Sequence, residues 1–100
     1  MNLDLAPDHL SQVKRILGRT PPGISVWAFG SRVTGRAKRF SDLDLALVAD
    51  KPVPRETIWA LRESFSESDL PFRVDIVDLA AVPSGFRATI ENRHAPMLEA

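Results

Sequence analysis

Asp42 and Asp44 stand two residues apart in the segment Ser41-Asp42-Leu43-Asp44-Leu45-Ala46-Leu47-Val48, in which leucines alternate with other residues. Period-two alternation is the pattern of a β-strand, and on a strand residues i and i+2 project from one face. Side by side, two carboxylates repel each other unless a cation lies between them. Magnesium takes carboxylate oxygen, usually from one or two protein groups, and completes its shell with water and substrate phosphates. An Asp-x-Asp strand is therefore a suitable cradle for a metal-bound triphosphate. Taken alone, however, such a pair is more often ordinary solvent-facing charge.

Neighbouring residues narrow that choice. Gly30 and Ser31 end the preceding apolar run, eleven residues before Asp42. Glycine lets backbone approach a phosphate closely, serine adds a hydroxyl, and the N–H groups of a following turn can point at an anion. Arg32 is a candidate phosphate contact, and Ser41 either contacts phosphate or caps the approach to the strand. A third carboxylate, Asp75, lies in a later strand-like segment, on the face opposite Val74 and Ile76 and shared with Arg73 and Val77. If the two strands are neighbours, Asp75 joins Asp42 and Asp44 as general base or as ligand to a second ion. Two ions about 3.5–4 Å apart can activate an attacking oxygen and stabilise a leaving pyrophosphate. Asp78 reads as an ordinary strand-edge aspartate.

The elements that must position these groups follow from hydrophobic periodicity. Leu10, Val13, Ile16 and Leu17 predict a helix over 8–18, with Gly18 as its stop. Residues 24–29 read as a strand, 32–40 as a helical turn and loop, and 42–48 as the second strand. Ile58, Leu61 and Phe65 form the stripe of a helix over 55–68, with Trp59 at its margin or in an interface. Residues 72–78 read as the third strand and 83–93 as a last helix using Phe86, Thr89 and Ile90. The tail 95–100 reads as frayed or partner-bound. The expected fold is α+β: one domain over 1–100, with a motif core at 24–78. A small mixed sheet is covered by helices mainly on one face. The leucine face of the second strand should meet the helices, leaving its carboxylate face open to a ligand.

Composition excludes several classes. The chain has 100 residues, thirteen basic and thirteen acidic, for a formal net charge of zero. Non-specific nucleic-acid binding usually requires a basic excess, so the cluster Arg32, Arg36, Lys38, Arg39 is not read as a nucleic-acid site. There are no cysteines, hence no disulfide framework or thiolate metal site. Met1-Asn2-Leu3-Asp4 lacks the basic start of a secretory leader, and no apolar run is long enough to span a membrane. The expected setting is cytoplasmic, with no membrane association. His9 and His94 read as surface residues, and Trp27 and Phe29 as core.

The stretch from Gly30 to Ala46 resembles the signature of the DNA polymerase β-like nucleotidyltransferases, and more narrowly of the minimal nucleotidyltransferase (MNT) family. Gly30-Ser31, Arg32, the second glycine Gly35, and Ser41-Asp42-Leu43-Asp44-Leu45 match its elements in order, and Val74–Asp78 resembles the strand carrying the family's third aspartate. The resemblance implies that Gly30 and Ser31 hold a triphosphate and that Asp42, Asp44 and Asp75 form the catalytic, metal-binding triad. Arg32 and Ser41 are further nucleotide-binding candidates. It implies ATP as donor and Mg2+, as two ions, as cofactor. Members often act as antitoxins to a HEPN-family ribonuclease toxin, transferring AMP to one of its tyrosines. A HEPN toxin is thus the implied partner, in a homo- or hetero-oligomer. The alternatives are a nucleotide-binding antitoxin that acts by complex formation alone and an aminoglycoside-type nucleotidyltransferase. In so short a chain the acceptor site is expected on another protein.

Overall fold

The computed structural model describes residues 3–100; Met1 and Asn2, half of the N-terminal stretch searched for a leader, lie outside the described residues. The chain runs α1 (Pro7–Leu17), β1 (Ser25–Phe29), α2 (Ser31–Thr34), β2 (Leu43–Val48), α3 (Arg55–Ser66), β3 (Val74–Asp78), α4 (Ser84–Asn92) and β4 (Ala95–Leu98). Four strands form one mixed sheet in the order β3-β2-β1-β4. β1 is antiparallel to both β2 and β4, while β2 and β3 are parallel, joined by the α3 crossover.

The alternation in β2 determines the layering. Leu43, Leu45 and Leu47 are fully buried and share a core with Val13, Ile16 and Leu17 of α1, Leu61 and Phe65 of α3, and Val26, Ala28 and Ile76 of the sheet. Local signals fix α1: Pro7 stands at its start, Asp8 in its first turn, and Lys14 and Arg15 in its last, each complementing the helix dipole. Trp59 of α3 is exposed, clear of the core.

The opposite face of the sheet is not bare. Ala46 of β2, Phe29 of β1, Leu79 and Ile90 of α4 form a second, smaller buried cluster. α4 thereby covers the end of this face beyond Asp44 and turns the expected open surface into a walled cleft. Among the described residues no helix is long and apolar enough to cross a membrane.

The tail corrects the sequence reading. Residues 95–98 are an ordered strand, with Ala28 opposite Ala95 and Trp27 opposite Pro96. Ala95 and Met97 are buried while Pro96 faces out. A short run interrupted by proline carries little strand signal, yet proline is tolerated on an edge strand, where one side needs no donor.

Candidate active site

The pairing of β2 with β3 places Asp44 directly opposite Asp75, with Phe29 of β1 on its other side. Asp42 lies one residue ahead of β2 and is exposed. Asp44 senses both of the other carboxylates. Burial, the Asp75 charge and the Asp42 charge, in that order, push the Asp44 carboxyl up from 3.8 to about 6. A neighbouring cation would relieve the repulsion contributed by the two other aspartates. The donor set is entirely carboxylate oxygen, the type Mg2+ takes when substrate phosphates complete its shell, so these residues fit that ion. Among the described residues no three acidic or histidine side chains close into a metal-sized cage. Arg73 engages Asp75 Oδ1 through Nε and Nη2, both at 3.1 Å.

Gly30 is required twice over. Its φ of 80° and ψ of −153° lie in a region essentially reserved for glycine. A Cβ on it would also collide with the Asp44 carboxylate. Its carbonyl accepts hydrogen bonds from Val33 N and Thr34 N, which winds α2 and puts Ser31 at that helix's first position. Gly35, with φ 81°, ends the turn and returns its N–H to the Ser31 carbonyl.

Arg32 departs from expectation. Its guanidinium is buried and spent on main-chain oxygens: Nε and Nη2 donate to the Ser41 carbonyl at 3.1 and 2.8 Å, Nη2 also to Arg39 at 3.4 Å, and Nη1 to Asp4 at 2.9 Å. It lies 4.3 Å over the Phe72 ring. A guanidinium so committed does not reach a phosphate in the cleft. Ser41 Oγ accepts a hydrogen bond from Lys38 N at 2.7 Å, closing the turn before Asp42, so its side chain does the capping half of its expected role.

A cleft of about 910 Å3 opens over the acidic pair, within the range typical of small-molecule sites. Gly30, Asp44 and Asp75 line it from the sheet, Phe86, Thr89 and Arg93 from the last helix and its C-cap, and Arg62 and Arg73 from the β3 side. Arg73 was legible by strand parity with Asp75. Arg62 and Arg93 were not, because only tertiary packing brings their helices to the cleft. Arg62 also donates to the Ile76 carbonyl at 3.0 Å. Arg36, Lys38 and Arg39 are exposed and do not line the cleft; nor, of the residues expected to, do Ser31 and Asp42 line it directly. Phe86, expected in the core, is 42% exposed and meets Phe29 edge-on.

Two further readings change. Asp78 is buried, its carboxylate accepting hydrogen bonds from Val53 N at 2.8 Å and Ala80 N at 3.1 Å. It ties the loop before α3 to the end of β3. His94 is half-buried, stacked on Trp27 at 3.8 Å with Nδ1 3.0 Å from the Ile90 carbonyl.

Comparison with known proteins agrees with this geometry. The family described as "Polymerase beta, Nucleotidyltransferase" matches residues 11–99. A Haemophilus influenzae protein described as a probable protein adenylyltransferase, MntA, is 45% identical over 97 residues, spanning 97% of this chain and 85% of the relative. A chain of a toxin–antitoxin crystal structure with AMP-PNP superposes with a TM-score of 0.73 at 23% identity, covering 91% of this chain and 73% of that one. A chain of the complex between a tri-AMPylated Shewanella oneidensis HEPN toxin and its MNT antitoxin gives 0.64 at 19% identity, with 91% and 70% covered. The two structures share the fold, while the family match and the H. influenzae relative share the sequence. On those grounds the chain belongs to the polymerase β nucleotidyltransferase family.

Proposed function

We propose that this protein transfers AMP from ATP to a tyrosine hydroxyl of a HEPN-family partner and thereby acts as its antitoxin. The observation that carries the reading is the facing of Asp44 and Asp75 across β2 and β3 in a cleft of nucleotide size, with Asp42 near enough for its charge to act on Asp44. Support for the acceptor comes from relatives: the H. influenzae protein is described as a protein adenylyltransferase, and the Shewanella toxin is AMPylated. The AMP-PNP complex supports an adenine nucleotide as donor. The cytoplasm supplies that donor.

Asp42, Asp44 and Asp75 would hold Mg2+, as one ion or two. Bound there, it would neutralise the triphosphate and stabilise the pyrophosphate as it leaves. Gly30, with no side chain, leaves room for the triphosphate close to Asp44, and Ser31 follows it as the first residue of α2, where its hydroxyl would be a further phosphate contact. Where a single ion is held by Asp42 and Asp44, Asp75, engaged at Oδ1 by Arg73, would take the acceptor's proton on its other oxygen. The acceptor oxygen then forms its bond to the α-phosphorus as the bond to the bridging oxygen breaks, and pyrophosphate departs.

The test is incubation with ATP labelled at the α-phosphate, Mg2+ and the HEPN-family partner. The expected result is label on a partner tyrosine and a mass increase of whole AMP units, both absent with the Asp42→Asn/Asp44→Asn double variant. No transfer by the wild type, with unimpaired neutralisation by the double variant, would establish binding alone instead.

A further inference from the structure

We infer that Arg32 is a positioning residue for Asp42, fixing the peptide that presents this carboxylate to the site. The inference rests on the nucleotidyltransferase reading of the cleft. It starts from a gap in the strand: Asp42 precedes β2 and is exposed, so the β2 ladder does not hold it. On its downstream side Leu43 N donates to the Arg73 carbonyl at 2.9 Å. Upstream, the Ser41 carbonyl belongs to the same rigid planar unit as the Asp42 N–H. That carbonyl receives both Nε and Nη2 of Arg32. Asp42 is therefore suspended between two anchored peptides; the Ser41 turn closes on Lys38, and the carbonyl of the upstream peptide itself is held by the Arg32 guanidinium.

The anchor is itself over-determined. Nη1 donates to Asp4, ahead of α1, and the guanidinium plane lies over Phe72, just before β3. One cation thus links α2, the turn before Asp42, the N-terminal segment and the approach to β3. Arg32 is only 5% exposed, and among the described residues it belongs to no ion pair. A buried cation is sustained only when its hydrogen bonds are satisfied. Here main-chain carbonyls satisfy them through a planar fork that lysine, a point charge on a flexible stem, does not reproduce.

The test uses the full chain with Mn2+ in place of Mg2+ and a non-hydrolysable ATP analogue, reading bound Mn2+ by electron paramagnetic resonance. Groups that orient metal ligands typically contribute about 10–100-fold to metal affinity. Arg32→Lys should therefore weaken Mn2+ binding about tenfold and shift the Mg2+ activation curve by the same factor, with transfer recovered at saturating Mg2+ and the KM for ATP there unchanged. Arg39→Ala, which keeps its main-chain carbonyl, should match wild type. Phe72→Leu, which keeps the carbonyl bonds but removes the aromatic face, should weaken Mn2+ binding about threefold; it covers the case in which Arg32→Lys does not fold. Wild-type Mn2+ affinity in either folded variant overturns the inference. A KM for ATP that stays high at saturating metal would make Arg32 a phosphate ligand instead. Failure of wild type to bind Mn2+ with the analogue would bring down the reading of the cleft itself, and this inference with it.

Discussion

Asp44 meets three constraints at once: burial on β2, Asp75 opposite, and the bare Cα of Gly30 against its carboxylate. Its folded-state value of about 6 stands above the 3.8 of an unperturbed group. Its contribution to stability is therefore present in full below about pH 4 and is lost as pH rises through 6. Asp44→Asn removes that loss. In metal-free protein, the gain in melting temperature of Asp44→Asn over wild type should widen from pH 4 to pH 7 and then level off. The same variant should lower AMP transfer by about a thousandfold or more, since a bound ion contributes several kcal/mol of transition-state charge stabilisation. Gly30→Ala should cost about 1–3 kcal/mol from the forbidden backbone conformation alone, seen in a urea titration, and should abolish transfer by pushing into Asp44. At this scale the sequence was readable where parity decides: the facing of Asp44 and Asp75 follows from strand alternation, while Asp42 and Arg73 each lie one residue ahead of their strands. Arg32 was not, because an arginine after Gly-Ser looks the same whether its fork turns to phosphate or back onto Ser41 and Asp4.

The helices and three of the strands were legible because each carries a clear period. β4 was hidden because four residues containing proline show none, and only the exposed edge of β1 makes them a strand. Asp78 was misread for a related reason, as its partners, Val53 N and Ala80 N, lie in loops without any pattern. Asp78→Ala should destabilise the protein by about 1.5–3 kcal/mol, the range for hydrogen bonds to a charged group. It should leave the KM for ATP unchanged at temperatures where the protein is folded. Denaturant unfolding and initial rates check the two halves. Truncation of the side chain in Met97→Ala should cost about 2–4 kcal/mol, because a buried long side chain is lost from the core above β4.

For the molecule as a whole, the site draws on β1, β2, β3 and the last helix together, so ligand binding should report on the entire fold. Mg2+ with a non-hydrolysable ATP analogue, at about a hundred times its Kd, should add about 2.7 kcal/mol to stability. In a domain of this size that corresponds to a rise of roughly 10–20 °C in melting temperature. EDTA, or the Asp42→Asn/Asp44→Asn double variant, should abolish the rise. The exposed basic residues Arg36, Lys38 and Arg39 lie outside the cleft lining. The walls of the cleft were beyond the sequence, since Arg62 and Phe86 reach it only once α3 and α4 have docked on opposite faces of the sheet.

The parallel pairing of β2 with β3 also sets an order of events in time. Gly30 directly follows β1, whose last residue Phe29 pairs with Asp44, so the two can meet early as part of a local β1–β2 pairing. Asp75 arrives only after the chain has passed through α3, and such long-range parallel contacts form slowly. The two repelling carboxylates thus come together only once the β2–β3 pairing has formed, so the ligand site is complete only in the fully folded chain. Mg2+ and nucleotide should accordingly slow unfolding while leaving the folding rate nearly untouched. The occupied protein would then gain its lifetime from a late-formed clasp.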